Sequence, residues 1–135
     1  MQAFITDLLA YLTTLPVAEA FGAELLGNKN LFAHVIPPDA TDCILLSTYS
    51  TRPPDAVRDA YYPAIQLVVR HESAACAYDT AQLLINSMHR NTKIFPSTLC
   101  LSKQSLPFGL GKDDAGSSRF AVNFSFSCAG KLGTR

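Results

Sequence analysis

Three histidines, four cysteines and two adjacent aspartates are the residues of this 135-residue chain whose types could support catalysis or metal binding. A zinc site needs imidazoles and thiolates at short repeated spacings, so that one turn of backbone aims two ligands at one point. His34, His71 and His89 lack such spacing and have no carboxylate cluster beside them, which predicts no metal and no cofactor. Cys43, Cys76, Cys100 and Cys128 are scattered, without a Cys-x-x-Cys pair. Cysteines of this kind in a cytosolic chain are expected as buried small hydrophobes, inert because burial disfavours the thiolate. His71 and Cys76 lie little more than one helical turn apart, with Tyr78 close by. They support an alternative reading, a small α+β enzyme or ligand-binding domain with a pocket at that place, although Cys76 has no other basic neighbour.

Two further patterns resemble chemistry and fail on spacing. Gly109-Leu110-Gly111-Lys112 ends like a phosphate-binding loop, but Leu106 stands where the first glycine is required and Asp113 where a hydroxyl should follow the lysine. Asp113-Asp114-Ala115-Gly116 precedes a strand pattern, so its aspartates are turn formers before they are a pair of catalytic acids. No Gly-x-Ser-x-Gly nucleophile elbow is present. Arg70 closes a strand two residues before Glu72, and two roles stay open for it: a strand-end charge with a local partner, or half of an ion pair between subunits.

The elements that would hold these residues follow from periodicity. Phe4, Leu8, Tyr11, Leu12 and Leu15 recur at helical spacing until Pro16 stops the helix. A weaker helical turn is expected over Val17–Phe21. Asn30–Ile36 and Cys43–Ser50 read as strands, and Thr51–Tyr62, with Pro53 and Pro54, as a long connection. Pro63–Arg70 is apolar on both faces, as a central strand is. Ser73 can cap a helix over Ala74–Arg90 whose stripe is Ala77, Ala81, Leu84, Ile85 and Met88, with Asn91 as its stop. His89, near that helix end, is read as complementing the helix dipole. Lys93–Lys103 is expected as a strand with Leu99 and Leu101 facing inward, and Ser105–Gly111 as a bend. Arg119–Ala129 is the clearest strand. Phe120, Val122, Phe124, Phe126 and Cys128 form one greasy face, and Ala121, Asn123, Ser125, Ser127 and Ala129 a small uncharged one, open to solvent or to another subunit. The order predicts a single domain, residues 1–135, of α+β class: a mainly antiparallel sheet of about four to five strands packed against two helices.

Composition narrows the function. Apolar residues make up 48% and charged residues 16%, with 11 cations against 11 anions. So low a charge content asks for something to cover the surface; self-association is the simplest candidate, and a polar uncharged surface of Ser, Thr, Asn and Gln would also serve. A balanced charge does not provide the basic field that bulk nucleic acid or an anionic membrane requires. No apolar run approaches the ~20 residues that span a bilayer. Met1-Gln2-Ala3-Phe4 lacks the basic start of a signal peptide, so a soluble chain made in the cytosol is expected.

One ordered set of motifs resembles a known family. Asn30-Leu31-Phe32, Pro37-Pro38-Asp39, Ile44 to Tyr49, Pro63 to Arg70, the alanine-rich helix, then Asp114-Ala115-Gly116, Arg119-Phe120 and Asn123-Phe124 occur in the sequence of a tailed-bacteriophage family. Its members are variously described as minor capsid, tail completion or tail terminator proteins. The resemblance runs from about Leu8 to Cys128 and is poorest over Thr51–Tyr62. It implies a non-enzymatic virion protein, present in host cytoplasm during assembly. Such proteins form a ring, usually a hexamer, at the head-proximal end of the tail. The ring caps the tail tube, meets the head connector and lets DNA pass through its lumen. A neck adaptor attached to the head is the neighbouring reading. On this view the subunit or partner contacts would be drawn from Arg70, Glu72, Asp113, Asp114, Arg119, Asn123 and Ser125, with no catalytic, cofactor or metal residues.

Overall fold

The computed structural model describes residues 2–37, 42–55, 60–90 and 98–129, over which nine elements follow one another. They are α1 (Gln2–Leu12), α2 (Ala18–Phe21), β1 (Leu31–Ala33), β2 (Cys43–Asp55), β3 (Ala60–His71), α3 (Ala74–Met88), β4 (Thr98–Ser102), β5 (Phe108–Lys112) and β6 (Ser118–Ala129). The strands form one sheet in the order β1-β2-β3-β6-β4, and β5 shares with β4 the same side of β6. β1 runs parallel to β2 and every other pairing is antiparallel. The α+β class therefore holds, with a sixth strand beyond those expected, and the weak helical turn expected over Val17–Phe21 forms the short third helix α2.

Alternation along β6 and β3 builds the floor of the core. Val122, Phe124, Phe126 and Cys128 of β6 are buried on the same face as Ile65, Leu67 and Val69 of β3, with Phe124 opposite Ile65 and Val122 opposite Leu67. Ile44 and Leu46 of β2 extend that floor. The helices close it from one side. Phe4, Leu8 and Leu12 of α1 are buried, and the Phe4 ring meets Phe126 edge-on with centroids 5.0 Å apart. The stripe expected on α3 is buried from Ala77 to Met88, and the Ser73 hydroxyl caps that helix by accepting from the Cys76 N–H at 3.3 Å. Short α2 ends at Gly22, whose φ of +89° suits glycine and lets its N–H return to the Ala18 carbonyl.

Four expectations are corrected. β1 is only three residues long, because His34 turns into the left-handed region at φ +70° and ends it. Thr51–Tyr62 is not one long connection: β2 continues to Asp55 and β3 begins at Ala60, with residues 56–59 outside the described ones. Proline is tolerated there because register shifts fall between Tyr49 and Asp55, and β1 no longer flanks β2 beyond Leu46. The expected bend over Ser105–Gly111 contains strand β5, irregular between Gly109 and Gly111. Leu99 and Leu101 face outward, 37% and 38% exposed, whereas Cys100 between them is fully buried. Register explains the inversion: Cys100 stands opposite core-facing Phe126, and the two leucines opposite Ser127 and Ser125. The stretch 91–97, with the expected stop at Asn91, lies outside the described residues.

The chain leaving α3 also closes one side of β4. The Arg90 N–H donates to the Cys100 carbonyl at 2.7 Å, and the Ser102 N–H donates to Nδ1 of His89 at 2.9 Å. His89 thus serves as a hydrogen-bond partner of strand β4. Backbone groups that would invite a foreign strand are used internally at these two positions.

The phase of β4 is testable. Cys100→Ser should cost about 1–3 kcal/mol, by placing a hydroxyl in an apolar site, whereas Leu101→Ser should stay within about 1 kcal/mol. Urea unfolding of the two variants measures both, and the reverse ranking would invert the strand.

Candidate subunit interface

The sheet face turned away from the helices is organised in rows set by register. Leu45, Val68, Ala121 and Phe108 stand side by side across β2, β3, β6 and β5, and Phe32 of β1 extends the row past Leu45. Phe32, Cys43, Ala64 and Ala121 on this face are buried yet stand outside the main core cluster, while Phe108 at the end of the row is 55% exposed. The next row is one of amides. Gln66 Nε2 donates to Asn123 Oδ1 at 3.1 Å, and Asn123 Nδ2 donates to Gln104 Oε1 at 3.2 Å. The row beyond brings Ala64, Ser125 and Leu101 together.

Gln104 has a second task, one without a local sequence pattern. β4 pairs with β6 from Phe124 to Cys128 and β5 pairs with it from Ser118 to Ala121, which leaves a gap between them. The side-chain amide of Gln104 fills the gap as a peptide unit would. Its Oε1 accepts from the Asn123 N–H at 3.1 Å, and its Nε2 donates to the Ala121 carbonyl at 3.0 Å. A long polar side chain inside a Pro- and Gly-rich stretch looks in sequence like any solvated residue, so nothing flagged it.

At the other end of the face, Arg70 and Arg119 are directly opposite each other on β3 and β6. Like charges so placed repel. The fold answers with Asp113 from the β5–β6 turn, whose Oδ2 lies 2.6 Å from Arg70 Nε. Arg119 Nη2 donates to the Leu110 carbonyl at 3.2 Å, and its Nε is buried without a hydrogen-bond partner among the described residues. Asp113 also shapes its own turn. Its Oδ1 accepts from the Ala115 and Ser117 N–H groups at 3.0 and 2.9 Å, and Gly116, at φ +84°, returns its N–H to the Asp113 carbonyl. These contacts hold the Asp113 carboxyl below its ordinary value, the Ser117 N–H foremost, then the Arg70 charge and the Ala115 N–H.

Of the residues the sequence offered as contacts, Arg70, Asp113 and Arg119 meet at one end of this face, and Asn123 and Ser125 lie further along it. The local partner of Arg70 is Asp113, not Glu72. Glu72 is exposed at the entry to α3, its N–H bound by Asp42 at 3.0 Å, and Asp114 is exposed on the turn. Phe108 and Leu101 join the face through the pairing of β5 and β4 with β6, opposite Ala121 and Ser125.

The other chemical candidates do not assemble. Nδ1 of His71 accepts from the Ser73 N–H at 3.0 Å, which places its hydrogen on Nε2, 2.9 Å from the Phe21 carbonyl and 3.2 Å from Asp42 Oδ2. The imidazole thereby ties α2, the start of β2 and the start of α3 together. The cleft beside it, about 440 Å³, is lined by Phe21, Lys29, Asn30 and Asp42 but by neither Cys76 nor Tyr78. Tyr78 packs edge-on against Phe120 instead, with centroids 5.5 Å apart. Burial pushes the Cys100 thiol up to about 12, and burial likewise raises Cys43, though Arg70 partly offsets it. Among the described residues no three metal-binding side chains cluster, and no helix is long and apolar enough to cross a membrane.

The two-layer α+β architecture agrees with comparison to known families. The model of a family described as bacteriophage tail terminator protein matches residues 10–129. The chain belongs to the bacteriophage tail terminator family. No curated protein matches it. Membership makes this a structural component of the phage tail, and its place is the tail of the virion. The matched span runs from within α1 to the end of β6, so both layers and the whole sheet belong to the tail terminator unit.

Two tests address the face. Gln104→Leu should destabilise by about 1–3 kcal/mol, since the Asn123 N–H and the Ala121 carbonyl lose their partner. Hydrogen exchange should accelerate at the Asn123 amide, and an unchanged rate would show that the side chain does not bridge the gap. The second concerns pH. A carboxyl held below its ordinary value, about 4, stabilises the fold above that value and stops doing so as pH falls through the folded one. Asp113→Asn should therefore be less stable than the parent at pH 7, with the difference shrinking below about pH 4. Urea unfolding at pH 7 and pH 3 measures it.

Proposed function

We propose that this tail terminator chain assembles as a ring of six copies at the head-proximal end of the phage tail. There the ring stops growth of the tail tube and presents its other side to the head connector. The observation that carries the reading is the sheet face opposite the helices, on a chain whose residues 10–129 match the tail terminator family. Its apolar row ends in exposed Phe108, and its amides bond to one another. With charged residues at 16% of the chain, the exposed apolar side chains at the end of that face are suited to burial against neighbours. A structural ring also fits the chemistry of the remaining groups, since His71 serves packing and the Cys100 thiol is held protonated. Balanced charge suits a lumen through which DNA slides without being held. Before incorporation the subunits occupy the host cytoplasm.

Light scattering coupled to size-exclusion chromatography, with and without purified tail tubes, tests this. A closed oligomer on the tube end, and tubes whose elongation halts when the protein is added, are expected. A strict monomer at every concentration that never binds tubes would defeat the proposal.

A further inference from the structure

Six large apolar side chains are exposed among the described residues, and all of them lie at the two lateral ends of the sheet. Leu26 and Val35, at 47% and 71%, flank β1 at one end. Leu99, Leu101, Leu106 and Phe108, between 37% and 60%, occupy β4, β5 and their connection at the other. Single exposed leucines are ordinary, but confinement to two opposite ends is not.

Charge divides the same way. Val17–Asn28, leading to β1, carries Glu19 and Glu24 and no cation, whereas Thr98–Lys112 carries Lys103 and Lys112 and no carboxylate, all four being exposed. Lys29 offsets one charge at the first end and Asp114 one at the second, where Arg119 adds another. Two ends that differ in sign and in apolar content are complementary to each other, not to themselves. A contact between unlike patches is head-to-tail, and repeated with a rotation it closes into a ring.

We propose that neighbouring copies of this chain meet side to side. The β4–β5 end of one, with Leu101, Leu106 and Phe108, packs on the α2–β1 end of the next, with Leu26 and Val35, and the lysines of the first face the glutamates of the second. The contact is made by side chains, because the Cys100 carbonyl and the Ser102 N–H on the far side of β4 already serve Arg90 and His89. This rests on the ring reading above and assigns its subunit contact.

The test uses Lys112→Glu and Glu24→Lys. Among the described residues Glu24 enters an internal bond through its backbone carbonyl alone, from Asn30 Nδ2 at 2.8 Å, so its side chain can be changed without loss of that bond. Each variant alone should raise the concentration for half-assembly by about tenfold or more, because like charges then meet at every contact. The double variant should return to within about threefold of the parent. Mixing the two single variants should also restore rings, since alternating copies place opposite charges at each contact. Circular dichroism and urea unfolding confirm that each variant is folded. Parent rings matched by single variants that assemble equally well would overturn the contact while leaving the ring. Impaired singles rescued by neither the double variant nor mixing would overturn it too. A parent that forms no oligomer, even on tail tubes, would overturn both readings.

Discussion

The backbone of β6 sets the terms for the rest of the molecule. Twelve residues must bury their phenylalanines on one side and still find partners for peptide groups along both edges. β3 satisfies one edge almost continuously. No single strand satisfies the other, because β4 ends at Ser102 and β5 begins at Phe108. Between them a side chain takes over, and Gln104 supplies one acceptor and one donor at the spacing of a peptide. An unpaired buried N–H costs about 1–3 kcal/mol, a large part of the margin by which a small domain is stable. The chain can therefore turn from β4 into β5 and still keep the sheet closed at its most buried strand.

Charge is handled with similar thrift. Arg70 and Arg119 face each other because the β3–β6 register that aligns the core leaves no alternative. Shifting the register by one residue would turn every phenylalanine of β6 to the other face, so the repulsion is accepted and relieved locally. Asp113 does this while closing the β5–β6 turn. One carboxylate thus couples the shape of a turn to a charge on the central strand, and the β5 hairpin is fixed relative to β3 by an ion pair as well as by strand pairing.

Much of this was legible in the sequence. The stripes of α1 and α3, the Ser73 cap and the two-faced pattern of β6 come from periodicity and local chemistry, which act within a few residues. The phase of β4 has no local signature, because Leu-Cys-Leu holds three apolar residues in a row and only pairing with β6 decides that Cys100 goes inside. β5 was hidden by Pro107, Gly109 and Gly111, whose turn propensity gives way to a neighbouring strand edge. Pro53 and Pro54 misled in the same manner, since proline excludes a central strand but not an edge. On the face, Arg70 and Arg119 were found as charges, but the Arg70–Asp113 pair joins residues far apart in the chain and has no local signature. The bridging by Gln104 is equally non-local.

These internal bonds decide what remains for a partner. Asn123 and Gln66, which look from sequence like free donors and acceptors, are engaged with each other and with Gln104. Arg70 is engaged by Asp113, and the far edge of β4 by the chain leaving α3. A neighbour approaching this domain therefore meets few unsatisfied polar groups on the broad face and two capped positions at one edge. What it does meet is apolar surface at the lateral ends, rimmed by glutamate on one and lysine on the other. Apolar burial supplies affinity with little directional preference, and opposed rim charges supply the orientation that apolar contact lacks. A subunit whose polar groups are committed internally, and whose ends differ in sign, has little to gain from pairing face to face with a copy of itself. In the side-to-side contact proposed above, the favourable partner is an end unlike its own, and repetition of that contact with a rotation would close a ring.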